Sequence, residues 1–197
     1  MSHLQLFAVS TLSFLLGSIP AGYIIAKLHG IDIRKHGSGN IGATNVYRTL
    51  GAKAGAATLI CDLLKGTVAV LLTRFFFKND PYAQFFSAFF AVLGHDFSIF
   101  LKLKGGKGVA TSYGATLPLA FWASFSGMIV WILILIGTKY SSLAALFSFS
   151  LTTLLSFVLY KSNYVHLLFV ILWFLMIIKH KENIKRLYLR QENRLKI

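Results

Sequence analysis

Acidic residues are scarce. The 197-residue chain has six Asp and Glu against twenty Lys and Arg. Chemistry that needs a cluster of carboxylates around a divalent metal is thereby set aside, because six scattered acids supply no such cluster. Cysteine is scarcer still. One thiol, Cys61, leaves no disulfide framework and no cysteine-based metal site. It lies in an apolar run and reads as a core filler and not as a nucleophile. Charged residues make up 13% of the chain, against about 25% in a soluble domain. With three prolines in all, long apolar segments can run as helices, and Pro20 and Pro118 mark the interior breaks.

What is present is apolar: 56% of the residues are hydrophobic. Runs long enough to cross a bilayer recur, each needing about 20 residues. Helices are the default because they satisfy their own backbone hydrogen bonds. The expected fold is all-α, a polytopic integral membrane protein of about seven spans. They cover roughly 4–28, 52–77, 82–101, a short one from 109 interrupted at Pro118, 121–136, 143–160 and 164–178. The alternative is five crossings plus a re-entrant hairpin made of the fourth and fifth segments. The first apolar run has no basic flank before it and no small-residue cleavage site after it, so it is expected to be a retained span. There is no internal repeat or linker, and residues 1–197 read as one domain.

The formal net charge of +14 raises the question of nucleic acid, but the basic residues sit in loops between apolar runs. Under the seven-span reading, sixteen of the twenty fall on one side of the membrane and three on the other. That is the positive-inside pattern, and it puts the N-terminus outside and the C-terminus in the cytoplasm. No nucleic-acid partner is expected; membrane lipid is.

Two loops on the cytoplasmic side are rich in glycine. KHGSGNIGATNVYR (35–48) matches a dinucleotide fingerprint as letters, yet a membrane helix precedes it where a strand is required. It also lacks the lysine of a phosphate-binding P-loop. The physical content survives the loss of both names. Gly37, Gly39 and Gly42 let backbone N–H groups converge on an anion. Ser38, Asn40, Thr44 and Asn45 add neutral donors, and Arg48 adds a fork suited to phosphate oxygens. Lys104-Gly105-Gly106-Lys107-Gly108 has the same chemistry and leads directly into a helix, whose N-terminus favours anions. A tight interhelical turn with ordinary positive-inside charge explains one such loop; two on one face favour anion binding.

Asp62 and Lys65 lie three apart inside a span, where a charge costs about 2.5–3.5 kcal/mol; they read as an internal pair tying spans together. His95-Asp96 reads as a helix-end hydrogen-bonding pair. His3, His29, His36 and His166 read as interfacial or solvated. In the tail, His180 and Asn183 share a helix face. Composition leaves two readings open there, a polar site at the membrane surface and a snorkelling basic anchor.

Six blocks, GSIPAGYIIAK (17–27), RKHGSGNIGATNVYR (34–48), DLLKG (62–66), GH (94–95), KGGKGVAT (104–111) and HKENIKRL (180–187), occur in the order and spacing of one family. The sequence resembles the PlsY family of bacterial acylphosphate:glycerol-3-phosphate acyltransferases. The resemblance covers nearly the whole chain. It implies a seven-helix enzyme of the cytoplasmic (inner) membrane with its site near the cytoplasmic face. The implied reaction moves a fatty acyl group from acyl phosphate to the 1-hydroxyl of glycerol 3-phosphate, giving lysophosphatidic acid and phosphate. This is the first acylation of phospholipid synthesis, and it uses no cofactor and no metal. By the same resemblance, Ser38 and Arg48 are essential, and Gly105, Gly106, Lys107 and Gly108 hold the phosphate of glycerol 3-phosphate. His180 and Asn183 complete the catalytic set, and Glu182 supports structural integrity. The soluble enzyme that makes acyl phosphate is an implied partner. One departure is Ser98, where family members often have proline after the Gly-His pair.

The residues suit that chemistry. A mixed anhydride is already activated, so the protein has to hold two phosphates side by side, stabilise charge and orient a hydroxyl. No histidine here has aspartate five residues on, so the other acyltransferase motif for this acceptor is absent. The reading from a different class is an organic-phosphate transporter, whose folds show paired repeats and broken helices in corresponding positions; none is found.

Overall fold

A computed structural model describes residues 1–195. Among the described residues there are ten α-helices: α1 (His3–Ser18), α2 (Ala21–Leu28), α3 (Ala43–Leu50), α4 (Ala52–Phe76), α5 (Pro81–Asp96), α6 (Val109–Thr116), α7 (Phe121–Thr138), α8 (Ser141–Leu159), α9 (Asn163–Lys179) and α10 (Lys181–Tyr188). Among the described residues there is no strand. The chain forms two compact units, Met1–Pro118 and Leu119–Ile197.

Burial is inverted relative to a water-soluble bundle. On α4, Thr58, Asp62, Lys65, Gly66, Ala69 and Thr73 are buried, while Ile60, Leu64, Leu71 and Phe75 are exposed. Small and polar residues pack helix on helix, and the large apolar ones are left for lipid. Cys61 lies on the exposed side of α4, so the core-filler expectation does not hold. It fails because the outward face of a membrane helix is the apolar one.

In the first unit α1 packs on α5 and α4. Gly17 and Gly94 bring α1 and α5 together, since a Cβ on Gly17 would meet Ala91 O and one on Gly94 would meet Phe14 O. Pro20 ends α1 and opens α2. The carbonyls loosened there are taken up from afar: Lys65 Nζ donates to Ile19 O (2.8 Å) and Ser98 Oγ to Ser18 O (2.6 Å). Ser98 has φ −57°, inside the range proline imposes. The departure from proline therefore keeps the backbone and adds a hydrogen bond.

α6 begins partway along α4. Thr67 Oγ1 donates to Gly114 O (2.9 Å), and Arg74 Nη1, in the last turn of α4, donates to Pro118 O (3.3 Å). The two helices run in the same direction, with α6 beside the second half of α4. Among the described residues, five stretches are long and apolar enough to cross a membrane, or six when α9 and α10, bent by 61°, count as one. α6 is not among them: its eight residues rise about 12 Å at 1.5 Å each, against about 30 Å of hydrocarbon. The expected crossing that begins at 109 is thus a short helix, Val109–Thr116, that does not span the hydrocarbon by itself.

The second unit holds α7 to α10. α7 packs on α8, and α8 on α9. Phe149 and Phe169 meet at its centre with ring centroids 5.9 Å apart, and Trp173 Nε1 donates to Ser150 Oγ (2.8 Å). Leu195 N donates to Lys139 O (2.8 Å), which returns the end of the tail to the turn between α7 and α8.

Candidate active site

In the first unit, the segment after α2 is ordered from its entrance. Asp32 accepts from Arg34 N (3.2 Å), Nε (2.9 Å) and Nη2 (2.7 Å), and the Arg34 guanidinium lies over the Tyr23 ring, 4.7 Å from its centroid. The hydrogen bond from Arg34 holds the Asp32 carboxyl well below the usual carboxylate range and raises the guanidinium in turn. The chain then turns through Gly37 (φ 58°) and Gly39 (φ 70°), left-handed geometry that glycine adopts without strain.

Asn45 organises this loop from within. It is 2% exposed. Its Nδ2 donates to Ile33 O (3.4 Å), His36 O (3.0 Å) and Asn40 O (2.9 Å), and its Oδ1 accepts from Ser38 N (2.9 Å). The amide is therefore spent on the loop's own backbone. Asn40 Oδ1 accepts from Gly42 N (2.8 Å) in the same way. Ser38 is exposed at the tip of the turn; Thr44 and Arg48 are half-buried on α3. α3 starts on Gly42 with no side-chain cap, so its first N–H groups are not answered by the capping residue.

The second loop is folded onto the end of α5. Gly106 N donates to His95 O (2.9 Å) and Gly105 N to Asp96 O (3.3 Å). Lys104 is exposed and Lys107 half-buried. α6 starts on Gly108 (φ 72°), again with no side-chain cap. Below the loop, Asp62 Oδ1 lies 2.9 Å from Lys65 Nζ and 3.4 Å from His95 Nδ1, all three side chains being buried. The Asp62–Lys65 pair expected from spacing is present, and His95 is added to it.

In the second unit, His180 stands at the bend between α9 and α10. It is 3% exposed, and its Nδ1 lies 2.8 Å from Met176 O. A carbonyl only accepts, so Nδ1 carries a proton; in the neutral imidazole Nε2 then holds the lone pair. Asn183 is buried and donates from Nδ2 to Glu192 Oε1 (2.7 Å). Glu192 also accepts from Arg186 Nε (2.8 Å) and Ser142 Oγ (3.0 Å). Burial acts to raise the Glu192 pKa, and the hydrogen bonds from Asn183, Arg186 and Ser142 outweigh it and hold the carboxyl below its ordinary value.

Glu182, which the resemblance marks as structural, is exposed in the first turn of α10. A charge there suits the helix N-terminus, but the carboxylate that ties α10, α8 and the tail together is Glu192. Sequence reasoning missed it because a contact nine residues from Asn183, across a turn, leaves no periodic signal. The candidate catalytic side chains divide between the units: Ser38, Arg48 and Lys107 in the first, His180 and Asn183 in the second. Among the described residues, no three His, Cys, Asp or Glu side chains gather in a way that would hold a metal ion.

Residues 7–190 match the family described as Glycerol-3-phosphate acyltransferase. The glycerol-3-phosphate acyltransferase of Bartonella quintana is 44% identical over 194 residues, covering 96% of this chain and 91% of that protein. The one from Bacillus subtilis is 42% identical over 186 residues, covering 94% and 95%. Among solved structures, the glycerol 3-phosphate form of PlsY, an integral membrane glycerol 3-phosphate acyltransferase, superposes with a TM-score of 0.91 at 36% identity. It covers 97% of this chain and 96% of that one. The lysophosphatidic acid form gives 0.89 at 35% identity.

Proposed function

The chain belongs to the glycerol-3-phosphate acyltransferase family, and from that premise we propose how its residues perform the reaction. It is an integral membrane enzyme that acylates glycerol 3-phosphate to lysophosphatidic acid in the first step of phospholipid biosynthesis. The donor in this proposal is acyl phosphate. The observation that carries it is the pair of uncapped helix N-termini: α3 and α6 each begin on a glycine without a side-chain cap, each behind a basic glycine loop. Exposed N–H groups at a helix start favour an anion, and this reaction has two phosphates to seat.

Arg48 and the start of α3 hold the acyl phosphate, with Ser38 donating where charge develops on the acyl carbonyl. Lys104, Lys107 and the start of α6 hold the phosphate of glycerol 3-phosphate. The 1-hydroxyl attacks the acyl carbon, the bond from that carbon to the phosphate oxygen breaks, and inorganic phosphate leaves. His180, with its lone pair on Nε2, accepts the hydroxyl proton, and Asn183 orients the acceptor. Residues 1–197 act as one catalytic domain, multi-pass in the bacterial inner membrane. The N-terminus lies outside and the loops face the cytoplasm, where the soluble enzyme that makes acyl phosphate delivers the donor.

The test uses purified protein with both substrates. Phosphate release that requires glycerol 3-phosphate and acyl phosphate together, and that continues in excess chelator, supports the proposal. Equal turnover with an acyl thioester, or loss of turnover on chelation, refutes the donor assignment.

A further inference from the structure

A glycine beside a bound anion is ordinarily explained by the anion: a side chain would block its approach. The geometry at Gly106 points elsewhere. A Cβ built there would fall on Nε2 of His95, with Cδ2 and Cε1 of the same ring at 2.9 Å. The neighbours repeat the pattern. A Cβ on Gly105 would meet the His95 carbonyl oxygen, and one on Gly108 would lie 2.9 Å from Asp96 Oδ1. All three missing side chains point at the end of α5. The loop is glycine-rich on the side where it is packed.

His95 is fixed to do this. Its ring is 4% exposed, and Nδ1 lies 3.4 Å from Asp62 Oδ1, which is held in turn by Lys65 Nζ at 2.9 Å. Lys65 Nζ is anchored on Ile19 O at the break before α2. The His95 carbonyl meanwhile accepts from Gly106 N at 2.9 Å. The imidazole and the backbone of one residue thus locate the same glycine, and the ring's position is referred through two buried charges to the end of α1.

We propose that His95 is a positioning residue for the loop Lys104–Gly108: its imidazole, braced by Asp62 and Lys65, fills the space of Gly106's absent side chain and sets where the loop meets glycerol 3-phosphate. This rests on the reading of the loop as the glycerol 3-phosphate site. His95 touches no substrate in this scheme. It acts on the Michaelis constant for the acceptor through the loop, and Gly106 is glycine because of the ring beneath it.

The test is a double-mutant cycle read in steady-state kinetics for each substrate. His95→Asn keeps a nitrogen near the position of Nδ1, facing Asp62, while removing the ring edge under Gly106. Gly106→Ala in the native background should raise KM for glycerol 3-phosphate at least about tenfold, with KM for acyl phosphate little changed. In the His95→Asn background the added methyl has room, so the same change should cost at most about threefold; coupling of this size is ordinary for residues in contact. Stabilisation against thermal unfolding by added glycerol 3-phosphate should follow the same pattern and reads binding without turnover. An equal cost of Gly106→Ala in both backgrounds would return the glycine to the anion and overturn the proposal. Lys107→Ala separates the premise: an unchanged KM for glycerol 3-phosphate there would remove the loop from the acceptor site altogether, and the proposal with it.

Discussion

Replacing Glu192 with glutamine tests the tail of the protein most sharply. The carboxylate accepts from Asn183, Arg186 and Ser142 at 2.7, 2.8 and 3.0 Å, and its side chain is 5% exposed. Glutamine keeps one acceptor oxygen and places an NH₂ against groups that are themselves donors. A hydrogen bond to a charged group contributes about 1.5–3 kcal/mol. With one oxygen retained, the expected loss is at the lower end, about 1.5–2 kcal/mol, or roughly 3–8 °C in Tm for a chain of this size. Asn183 is also released from its fixed orientation, so kcat should fall about tenfold, the equivalent of about 1.4 kcal/mol of barrier.

The effect has a pH signature. The folded Glu192 pKa lies below its ordinary value of 4.5, so in the interval between folded and unfolded values the unfolded chain binds more protons and stability rises with pH. The stabilisation is complete above the unfolded value and is lost as pH falls through the folded one. Thermal unfolding of the detergent-solubilised protein between pH 3 and 7 should show this rise in the native chain and a flatter profile in Glu192→Gln. A variant with native Tm, native kcat and an unaltered pH profile would refute the reasoning.

Ser38→Ala and Arg48→Ala should each lose about two to three orders of magnitude in kcat, because a lost donor to developing charge costs about 2.7–4 kcal/mol. Thermal unfolding of Ser38→Ala should stay near native, since the Asn45 hydrogen bond to Ser38 uses the backbone. Asn45→Asp keeps the acceptor for Ser38 N and loses the donors to three carbonyls; protease nicking within 33–42 should become fast and activity should disappear, and a resistant, active variant would remove Asn45 as the strut. A cysteine placed at position 2 in a Cys61→Ser background should react with an impermeant maleimide from outside intact cells, and one at position 193 should not; the reverse labelling would refute the proposed orientation.

The helices at 3–28, 52–76, 81–101, 121–138 and 141–159 were legible in the sequence because apolar length alone decides them. The short α6 was harder, because Pro118 shows where a helix stops but not that the loop before it, Lys104–Gly108, is folded onto the end of α5. Both glycine loops were legible as turns that lead directly into helices. Their internal wiring was not: Asn45 reads as a donor for a ligand until its three carbonyl partners, five to twelve residues away, are known. Asp62 and Lys65 declared themselves by spacing within one helix. His95 joins them from another helix, and that kind of contact has no local signature. The same reason hid Glu192.

The three-residue spacing of Asp62 and Lys65 bears on how the protein is made. A lone charge in a nascent span hinders its release into lipid, at about 2.5–3.5 kcal/mol for either sign. Here the two charges close on each other within a single turn of α4, so that segment can leave the insertion machinery electrically neutral without waiting for its neighbours. His95 lies downstream and follows α4 into the membrane, whereas the Ile19 carbonyl precedes it. Moving Lys65 back one residue, to position 64, would separate the charges around the helix circumference, because residues two apart do not share a face, and the cost would fall on membrane insertion before any substrate was met.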